Sequence, residues 1–292
     1  MKTNVNLILA CSLVAFIGLF IGCSDLKEIL PAASQTIGVH PSGWLSKTSS
    51  DFHGATIRAQ AWDMRSCRNC HGGSYDGGTS GYSCRTCHTE TLGPEACNVC
   101  HGSNTSAAPP TDLSGNTDVS FRGVGQHQVH LLGTARTAAV GCSNCHQLPS
   151  GNIYDPAHID ANPDSRAEIN FAGIAKRATS GVTPSPIYYT TSGACDNTYC
   201  HGAFKNGKGS NPMFWNGGAA LSAACGSCHG DVSKPTLAER ALPKTAAQGG
   251  THPNNLACST CHGGVVNASL GFVNASKHID GMLNLNGNDV NF

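Results

Sequence analysis

The chain has 292 residues, 16 cysteines and 14 histidines, and its 18 basic residues balance its 18 acidic ones. Only 39% of the residues are hydrophobic and 6% are aromatic, which is a poor supply for a large core made of side chains alone. The charge balance argues against nucleic acid as a partner, because there is no basic excess to hold phosphates. Something other than side chains is therefore expected to fill the interior.

The N-terminal residues are typical of an export signal. The apolar stretch over residues 7–21 is shorter than the ~20 residues that a membrane-spanning helix needs. It runs into Phe20-Ile21-Gly22-Cys23, which resembles a bacterial lipobox, where cleavage leaves the cysteine as a lipidated N-terminus. We predict a signal peptide over residues 1–22 and lipidation of Cys23; the alternative is an ordinary signal peptide with an incidental cysteine. The residue after Cys23 is Ser24 rather than an aspartate, and this resembles the signal that sends lipoproteins to the outer membrane.

Six CxxCH motifs follow along the chain. In each, two residues separate the cysteines and a histidine comes directly after the second. This is the signature of covalent c-type haem attachment, because both thiols can reach the two vinyl groups on one haem edge while the histidine binds iron. The cysteine pairs are Cys67 and Cys70, Cys84 and Cys87, Cys97 and Cys100, Cys142 and Cys145, Cys225 and Cys228, and Cys258 and Cys261.

A seventh motif is a variant in which four residues separate Cys195 from Cys200, and His201 follows directly. We interpret it as a CxxxxCH haem site with a bulged loop; the alternative is a single thioether through Cys200. Cys23 and Cys11 are then the two cysteines left over, one for the lipid and one in the signal peptide. Zinc sites and disulfides also use closely spaced cysteines, but neither requires a histidine after every second cysteine.

The histidines divide into two sets of seven. Those of the motifs are predicted to bind iron from the proximal side: His71, His88, His101, His146, His201, His229 and His262. The others are predicted to be the distal ligands of the same irons: His40, His53, His127, His130, His158, His252 and His278. Bis-histidine ligation throughout would give low potentials, whereas methionine, the alternative sixth ligand, raises the potential. For any one distal histidine the alternative is a surface or hydrogen-bonding role.

Regular structure is expected to be sparse. Residues 236–248 have a helix-forming composition despite Pro243, and residues 187–191 favour a short strand. His127 and His130 are three residues apart and would share one face of a helix. In that case they could serve two neighbouring haems, or one of them could be a hydrogen-bonding bystander.

The spacing of the motifs predicts five segments. They are the signal peptide (1–22), a lipid-anchored approach segment with distal histidines (23–62), a three-haem cluster (63–102), a linker (103–120) and a four-haem domain that contains the CxxxxCH site (121–292). Within the last, a frame that begins with His158-Ile159-Asp160 and ends with Glu168-Ile169-Asn170-Phe171 recurs. Its second copy begins with His278-Ile279-Asp280 and ends with Asp289-Val290-Asn291-Phe292, which indicates an internal repeat. The predicted fold class is a multihaem cytochrome c, mostly loops with short helices and little strand, wrapped around a packed core of seven covalently attached haem c groups.

This ordered set of motifs resembles the exported multihaem c-type cytochromes of metal-reducing bacteria, the group that mixes CxxxxCH with CxxCH sites. The segments that resemble its repeated domain are Cys195–His201, Trp215-Asn216-Gly217, residues 225–230, Cys258–His262 and residues 278–281, and residues 124–131 resemble its paired-histidine segment. The resemblance implies electron transfer across or outside the outer membrane.

We therefore expect an electron-transfer protein rather than an enzyme, exported as an outer-membrane lipoprotein and placed on the periplasmic or cell-surface face. Its partners would be redox proteins and an extracellular metal or other terminal acceptor. Two alternatives stay open. One is a subunit of a haem-stacked extracellular filament. The other is a multihaem reductase with one open haem, which requires that one distal histidine does not bind iron.

Overall fold

The computed structural model describes residues 39–103, 111–156, 158–159, 167–216 and 224–291. The chain divides into two compact units, one ending at Ala59 and the other beginning at Gln60. The predicted signal peptide, the lipidation site Cys23 and part of the predicted linker lie outside the described residues. The division of the second unit into a three-haem cluster and a four-haem domain stays a prediction.

Helices in the described residues are short, and the longest has seven residues. The α-helices are α1 His53–Ala59, α2 Arg68–His71, α3 Cys97–Cys100, α4 His127–Leu131, α5 Leu237–Ala241 and α6 Ser259–His262. Single 3-10 turns span Arg65–Cys67, Gly78–Ser80, Cys84–Thr86, Gly93–Glu95, Cys142–Asn144, Gly173–Lys176, Tyr199–His201, Ala246–Gln248 and Ala275–Lys277. Such lengths are too short to be stable by themselves, so packing must hold them. In the described part of the chain, no helix has the length and apolar character that a bilayer crossing requires.

The strands form three small antiparallel sheets. They are β1 Asp76–Gly77 with β2 Tyr82–Ser83, then β3 Ile187–Tyr189, β4 Ala194–Asp196 and β5 Met213–Phe214 with β4 in the middle, and finally β6 Leu283–Leu285 with β7 Asn288–Val290. In the central sheet, Cys195 is aligned with Tyr188 on one side and Met213 on the other. The strand predicted over residues 187–191 is therefore confirmed over its first three residues.

The segment 236–248 is not one helix. Pro243 forces the residue before it out of the helical region, and Leu242 accordingly takes an extended conformation with ψ of 115°. The segment becomes α5 followed by a 3-10 turn, and each piece begins with its own capping box, at Thr236 and at Thr245. The composition of the segment predicted helix correctly, but the proline limits the helix to five residues.

Side chains of the described residues make only a thin core. No large side chain among them is completely buried. Several large hydrophobic side chains that flank the motifs are exposed, among them Tyr82, 77% exposed and two residues before a motif, and Leu148 and Leu256. The predicted class of a loop-rich chain with short helices and little strand is confirmed; the packing of haem into its interior stays a prediction.

One partly buried polar cluster joins three loops. Glu95 Oε1 accepts hydrogen bonds from the hydroxyls of Tyr75 and Tyr154, each at 2.8 Å, and from the guanidinium of Arg68. Arg68 also donates through Nε to the Tyr75 hydroxyl at 3.0 Å. Burial raises the pKa of both tyrosines, so both hydroxyls keep their protons and remain donors at neutral pH. Because Arg68 lies in the first motif, Glu95 before the third and Tyr154 before His158, the cluster ties these loops together.

Replacing the shared acceptor, Glu95, tests how much this cluster contributes to the stability of the protein. We expect Glu95→Ala to lower the urea midpoint of the haem-loaded protein by the equivalent of roughly 1–3 kcal/mol, because two partly buried hydroxyls and a guanidinium lose their acceptor. Asp63→Ala is the matched control, since the Asp63–Arg65 ion pair lies on the surface, with side chains 36% and 63% exposed. Equal midpoint shifts in the two variants would contradict a special role for Glu95.

Candidate haem-binding sites

Four of the CxxCH motifs fold as one tight turn closed by the same hydrogen bond. The backbone N–H of the motif histidine donates to the carbonyl of the first cysteine: His88 to Cys84 at 3.0 Å, and His101 to Cys97, His146 to Cys142 and His262 to Cys258, each at 2.9 Å. Residues three and four positions apart are neighbours on a helical surface. The turn therefore places both cysteines and the histidine on one side, where they can bind a single group.

The variant motif reaches a similar turn with two additional residues. Its turn begins later, because the His201 N–H donates to the Thr198 carbonyl at 3.1 Å. Cys195 stays outside the turn, in strand β4, and Asn197 takes a left-handed conformation with φ of +53°. Asparagine tolerates this region better than most residues. The bulge predicted for this loop is thus present, and the central sheet holds its first cysteine.

Each of four motif histidines faces one histidine from outside the motifs. These pairs are His101 with His158 (ring centroids 6.0 Å apart, planes at 53°), His146 with His127 (6.2 Å, 24°), His201 with His130 (6.1 Å, 73°) and His262 with His252 (6.2 Å, 18°). His127 and His130, which share helix α4, therefore face different motifs. Of the two roles considered for this pair, the geometry favours service to two neighbouring haems.

The spacing of these rings fits two imidazoles on opposite sides of one metal ion. A metal–imidazole bond is about 2 Å long, and the ring centroid lies about 1 Å beyond the nitrogen, so two opposed ligands have centroids about 6 Å apart. All four distances fall at this value. Rings that packed directly on each other would be closer, as His40 and Trp44 are at 4.2 Å. The separation therefore suits a ligand site better than ring stacking.

Backbone carbonyls orient most of these imidazoles. In ten described histidines Nδ1 lies 2.7–3.0 Å from a carbonyl oxygen, which only accepts, so Nδ1 carries the proton and donates it. The donors and acceptors are His53 with Trp44, His71 with Tyr82, His127 with Val124, His130 with Gln126, His146 with Glu168, His158 with Ile153, His229 with Ala241, His252 with Pro253, His262 with Asn284 and His278 with Arg136. This leaves Nε2 as the unprotonated atom, which is the arrangement that metal-binding histidines use.

Burial keeps two motif histidines and both cysteines of the variant motif uncharged at neutral pH. It lowers the pKa of His201 and His229 to about 4, so both rings are neutral at pH 7 and able to bind metal. Burial likewise raises the pKa of Cys195 and Cys200 to about 12, so both stay thiols. Among the residues described, no three His, Cys, Asp or Glu side chains come together to hold a metal ion, and the motif cysteines form no disulfide.

A fifth histidine pair is expected from proximity and elimination. Burial is the largest cause of the lowered pKa of His229, and the nearby charges of His278 and His252 lower it further. His252 already faces His262. We therefore expect His278 to be the distal partner of His229.

The remaining four predicted ligands are His40 and His53 in the first unit and His71 and His88 in the second. His40 stacks on Trp44, and His53 donates to the carbonyl of the same residue at 2.9 Å. His71 faces the Tyr82 carbonyl at 2.9 Å. Iron ligation by these four residues, as by the other ten histidines, stays a prediction.

The internal repeat recurs in the structure at residues other than those that the sequence similarity indicates. His146 and His262 each donate to a carbonyl 22 residues later, at Glu168 and at Asn284. Two residues beyond each acceptor, a backbone N–H returns to the motif: Asn170 to the Cys145 carbonyl at 2.8 Å and Asn286 to the Cys261 carbonyl at 2.7 Å. The structural equivalent of residues 168–170 is thus the segment 284–286, whereas the similar amino-acid sequence lies at residues 289–291.

The repeated histidines also follow one rule. His158 faces His101, and His278 is the expected partner of His229, so each is predicted to belong to the motif before the one that it follows in sequence. His146 and His262 are instead paired with histidines that precede their own motifs, His127 and His252. The sequence pattern does not reveal which histidines pair, because the Nδ1 hydrogen bonds that orient these rings go to backbone carbonyls.

Residues 194–229 match the family described as the Geobacter CxxxxCH...CXXCH motif. The match runs from strand β4 through the variant motif to the sixth motif, about an eighth of the chain. It is consistent with a multihaem c-type cytochrome of that group, as the sequence resemblance implied. No curated protein and no solved structure matches the chain.

Proposed function

We propose that the protein is a heptahaem c-type cytochrome that carries electrons from haem to haem at the outer membrane or cell surface. The observation that supports this most is the set of four histidine pairs with centroids 6.0–6.2 Å apart, each built from one motif histidine and one histidine from elsewhere. A motif match alone predicts attachment of haem. The pairing supports electron transfer, because two protein ligands leave no position for a substrate.

Haem bound at these sites supplies reversible one-electron chemistry, which the protein tunes through its axial ligands and their hydrogen bonds. The residues of the chain have three roles in this proposal. Motif cysteines anchor the group covalently, and the paired histidines hold iron from both sides. Carbonyls such as those of Glu168 and Asn284 keep the proximal rings fixed and raise their basicity as ligands. Such ligation favours low potentials.

The motif family supports export of the protein, and the N-terminal sequence supports the proposed place of this function. A cytochrome c motif implies an exported protein, since haem c is attached outside the cytoplasm. In our proposal Cys23 then carries the lipid that anchors the chain to the outer membrane, where redox proteins deliver electrons and an extracellular metal or other terminal acceptor removes them. The several acyl chains of a lipoprotein make such anchoring stable.

Carbon monoxide distinguishes a carrier from a reductase, because it binds ferrous haem only where a coordination position is open. We expect almost no spectral change when the reduced wild-type protein is exposed to it. His158→Ala should expose one iron, that of His101, so that the carbon monoxide difference spectrum rises to on the order of one haem per molecule. Ser150→Ala, on the same loop and exposed, is the matched control and should resemble the wild type.

Two outcomes would count against the proposal. Binding of carbon monoxide by one haem of the wild type would favour the reductase with an open site. An unchanged spectrum in the His158→Ala variant would mean that His158 is not the distal ligand of the third motif.

Anchoring is tested separately. We expect Cys23→Ala to shed the otherwise intact cytochrome from the membrane fraction into the periplasm or the medium, because the acylated residue is gone. Cys11→Ala, which removes the other cysteine outside the motifs, is the control and should leave the membrane fraction unchanged. Full membrane retention of the Cys23→Ala protein, measured by haem staining of fractions, would refute the lipid anchor.

A further inference from the structure

Trp215 is fixed at both its backbone and its ring. It follows strand β5 directly, and its backbone N–H donates to the Gly193 carbonyl at 2.7 Å. The indole Nε1 donates to the Arg122 carbonyl at 2.8 Å, from a segment 93 residues away. Two hydrogen bonds to separate segments leave the indole little freedom to tilt.

This one ring contacts two distal histidines. Its centroid lies 4.6 Å from that of His127, edge to face at 89°, and 5.7 Å from that of His130, with the planes at 35°. Both distances are within the range of favourable aromatic contacts. His127 faces the fourth motif and His130 the variant motif, so Trp215 lies between the distal ligands of two different sites.

The two sites are themselves neighbours. Burial is the main cause of the raised pKa of Cys195 and of Cys200, and the thiol of Cys145 is the next cause for both. The fourth motif therefore lies beside the variant motif, in addition to sharing the distal helix α4 with it.

The chain makes room for the indole at Gly125. A Cβ atom at this position would lie 2.1 Å from Trp215 Nε1, and φ is +43°, in the left-handed region. Glycine is thus required both for its backbone conformation and for the space that the tryptophan occupies. Any larger residue would have to displace the indole from the two histidines.

The two histidine pairs that Trp215 contacts have different geometries. The planes of His127 and His146 are 24° apart, nearly parallel, whereas those of His130 and His201 are 73° apart, nearly crossed. The Nδ1 hydrogen bonds, to Val124 and Gln126, fix where each distal ring points. They restrain its tilt less, and packing against a flat neighbour restrains tilt directly.

We propose that Trp215 is a positioning residue that sets the ring planes of His127 and His130, and so gives two neighbouring haems with the same ligands different electronic structures. The inference rests on the bis-histidine ligation of the proposed function. The relative orientation of two axial imidazoles sets the splitting of the iron d orbitals in the low-spin ferric state. Orientation by groups outside the ligand set is a general means of tuning metal sites.

Low-temperature electron paramagnetic resonance (EPR) of the oxidised protein reads these planes. Nearly parallel imidazoles give a rhombic low-spin spectrum with three resolved features, and nearly crossed imidazoles give one feature at markedly larger g. We expect wild-type protein to show both. In Trp215→Ala, the large-g feature should shift or broaden, because the crossed pair loses its packing partner. The rhombic signal should also change, by an intensity equivalent to about one haem. Trp215→Phe, which keeps a flat ring but loses the bond to Arg122, should show a smaller shift in the same direction.

Three further measurements make the result decisive. Phe214→Ala is the matched control, because this neighbouring side chain is half exposed, and its spectrum should equal that of the wild type. Gly125→Ala should reproduce the Trp215→Ala change with the tryptophan still present. Haem content and the carbon monoxide response should stay at wild-type values in both Trp215 variants, which separates a change of orientation from loss of a ligand.

The outcomes distinguish the two proposals. EPR spectra of Trp215→Ala and Trp215→Phe that equal the wild-type spectrum, in protein with low-spin haem, would overturn the role of Trp215 and leave the proposed function intact. Equal shifts in Phe214→Ala would also overturn it. Wild-type protein without low-spin haem would instead overturn the proposed function and this inference with it.

Discussion

A hydrogen bond from an imidazole Nδ1 to a backbone carbonyl recurs in ten of the described histidines, and the arrangement of the candidate sites depends on it. The bond selects the tautomer, so that Nε2 is the metal-binding nitrogen. It also joins distant parts of the chain, since the partner of His278 is the carbonyl of Arg136, 142 residues earlier. Each such bond is therefore a structural tie as well as a property of a ligand.

This use of the backbone suits a chain with little regular structure, because loops can present a carbonyl at many angles. Seven of the ten acceptor carbonyls lie outside the helices and strands, and the other three belong to Tyr82 in β2, Ala241 in α5 and Asn284 in β6. The described part of the chain accordingly has one-turn helices at six of its seven motifs, sheets of two or three strands and a thin side-chain core. The loops are held by polar contacts such as the cluster at Glu95 and the hydrogen bonds that residues 168–170 and 284–286 make to the motifs. In our proposal haem supplies the apolar interior that the composition lacks.

The sequence predicted the local features well. Two cysteines and a histidine within five residues form a site whose geometry a single turn decides, so the motif turns could be predicted from spacing. The bulge at Asn197 followed from counting residues. The loop-rich class followed from a low apolar content and dense motifs. In each case the deciding interactions lie within a few residues of one another.

The features that could not be predicted depend on long-range contacts with the backbone. His158 faces His101 because the loop that contains Ile153 folds back, and the sequence around His158 does not predict this pairing. The repeat appeared to end at residues 289–291, but the corresponding hydrogen bonds to the motif fall at 284–286, and this segment makes them with its backbone atoms alone. The role of Trp215 depends on a carbonyl at Arg122 and on space at Gly125, far away in sequence. Pro243, by contrast, acts locally, and its effect on the helix could have been given more weight.

The central claim is that all seven motifs carry covalent haem, including the variant at Cys195 and Cys200. The intact mass of the mature, acid-denatured protein tests it most directly, because thioether-bound haem survives denaturation whereas zinc and non-covalent haem are lost. The account predicts a polypeptide mass increased by seven haem groups, with the remainder explained by acylation at Cys23. A mass with six or fewer haem groups, or with none, would contradict it.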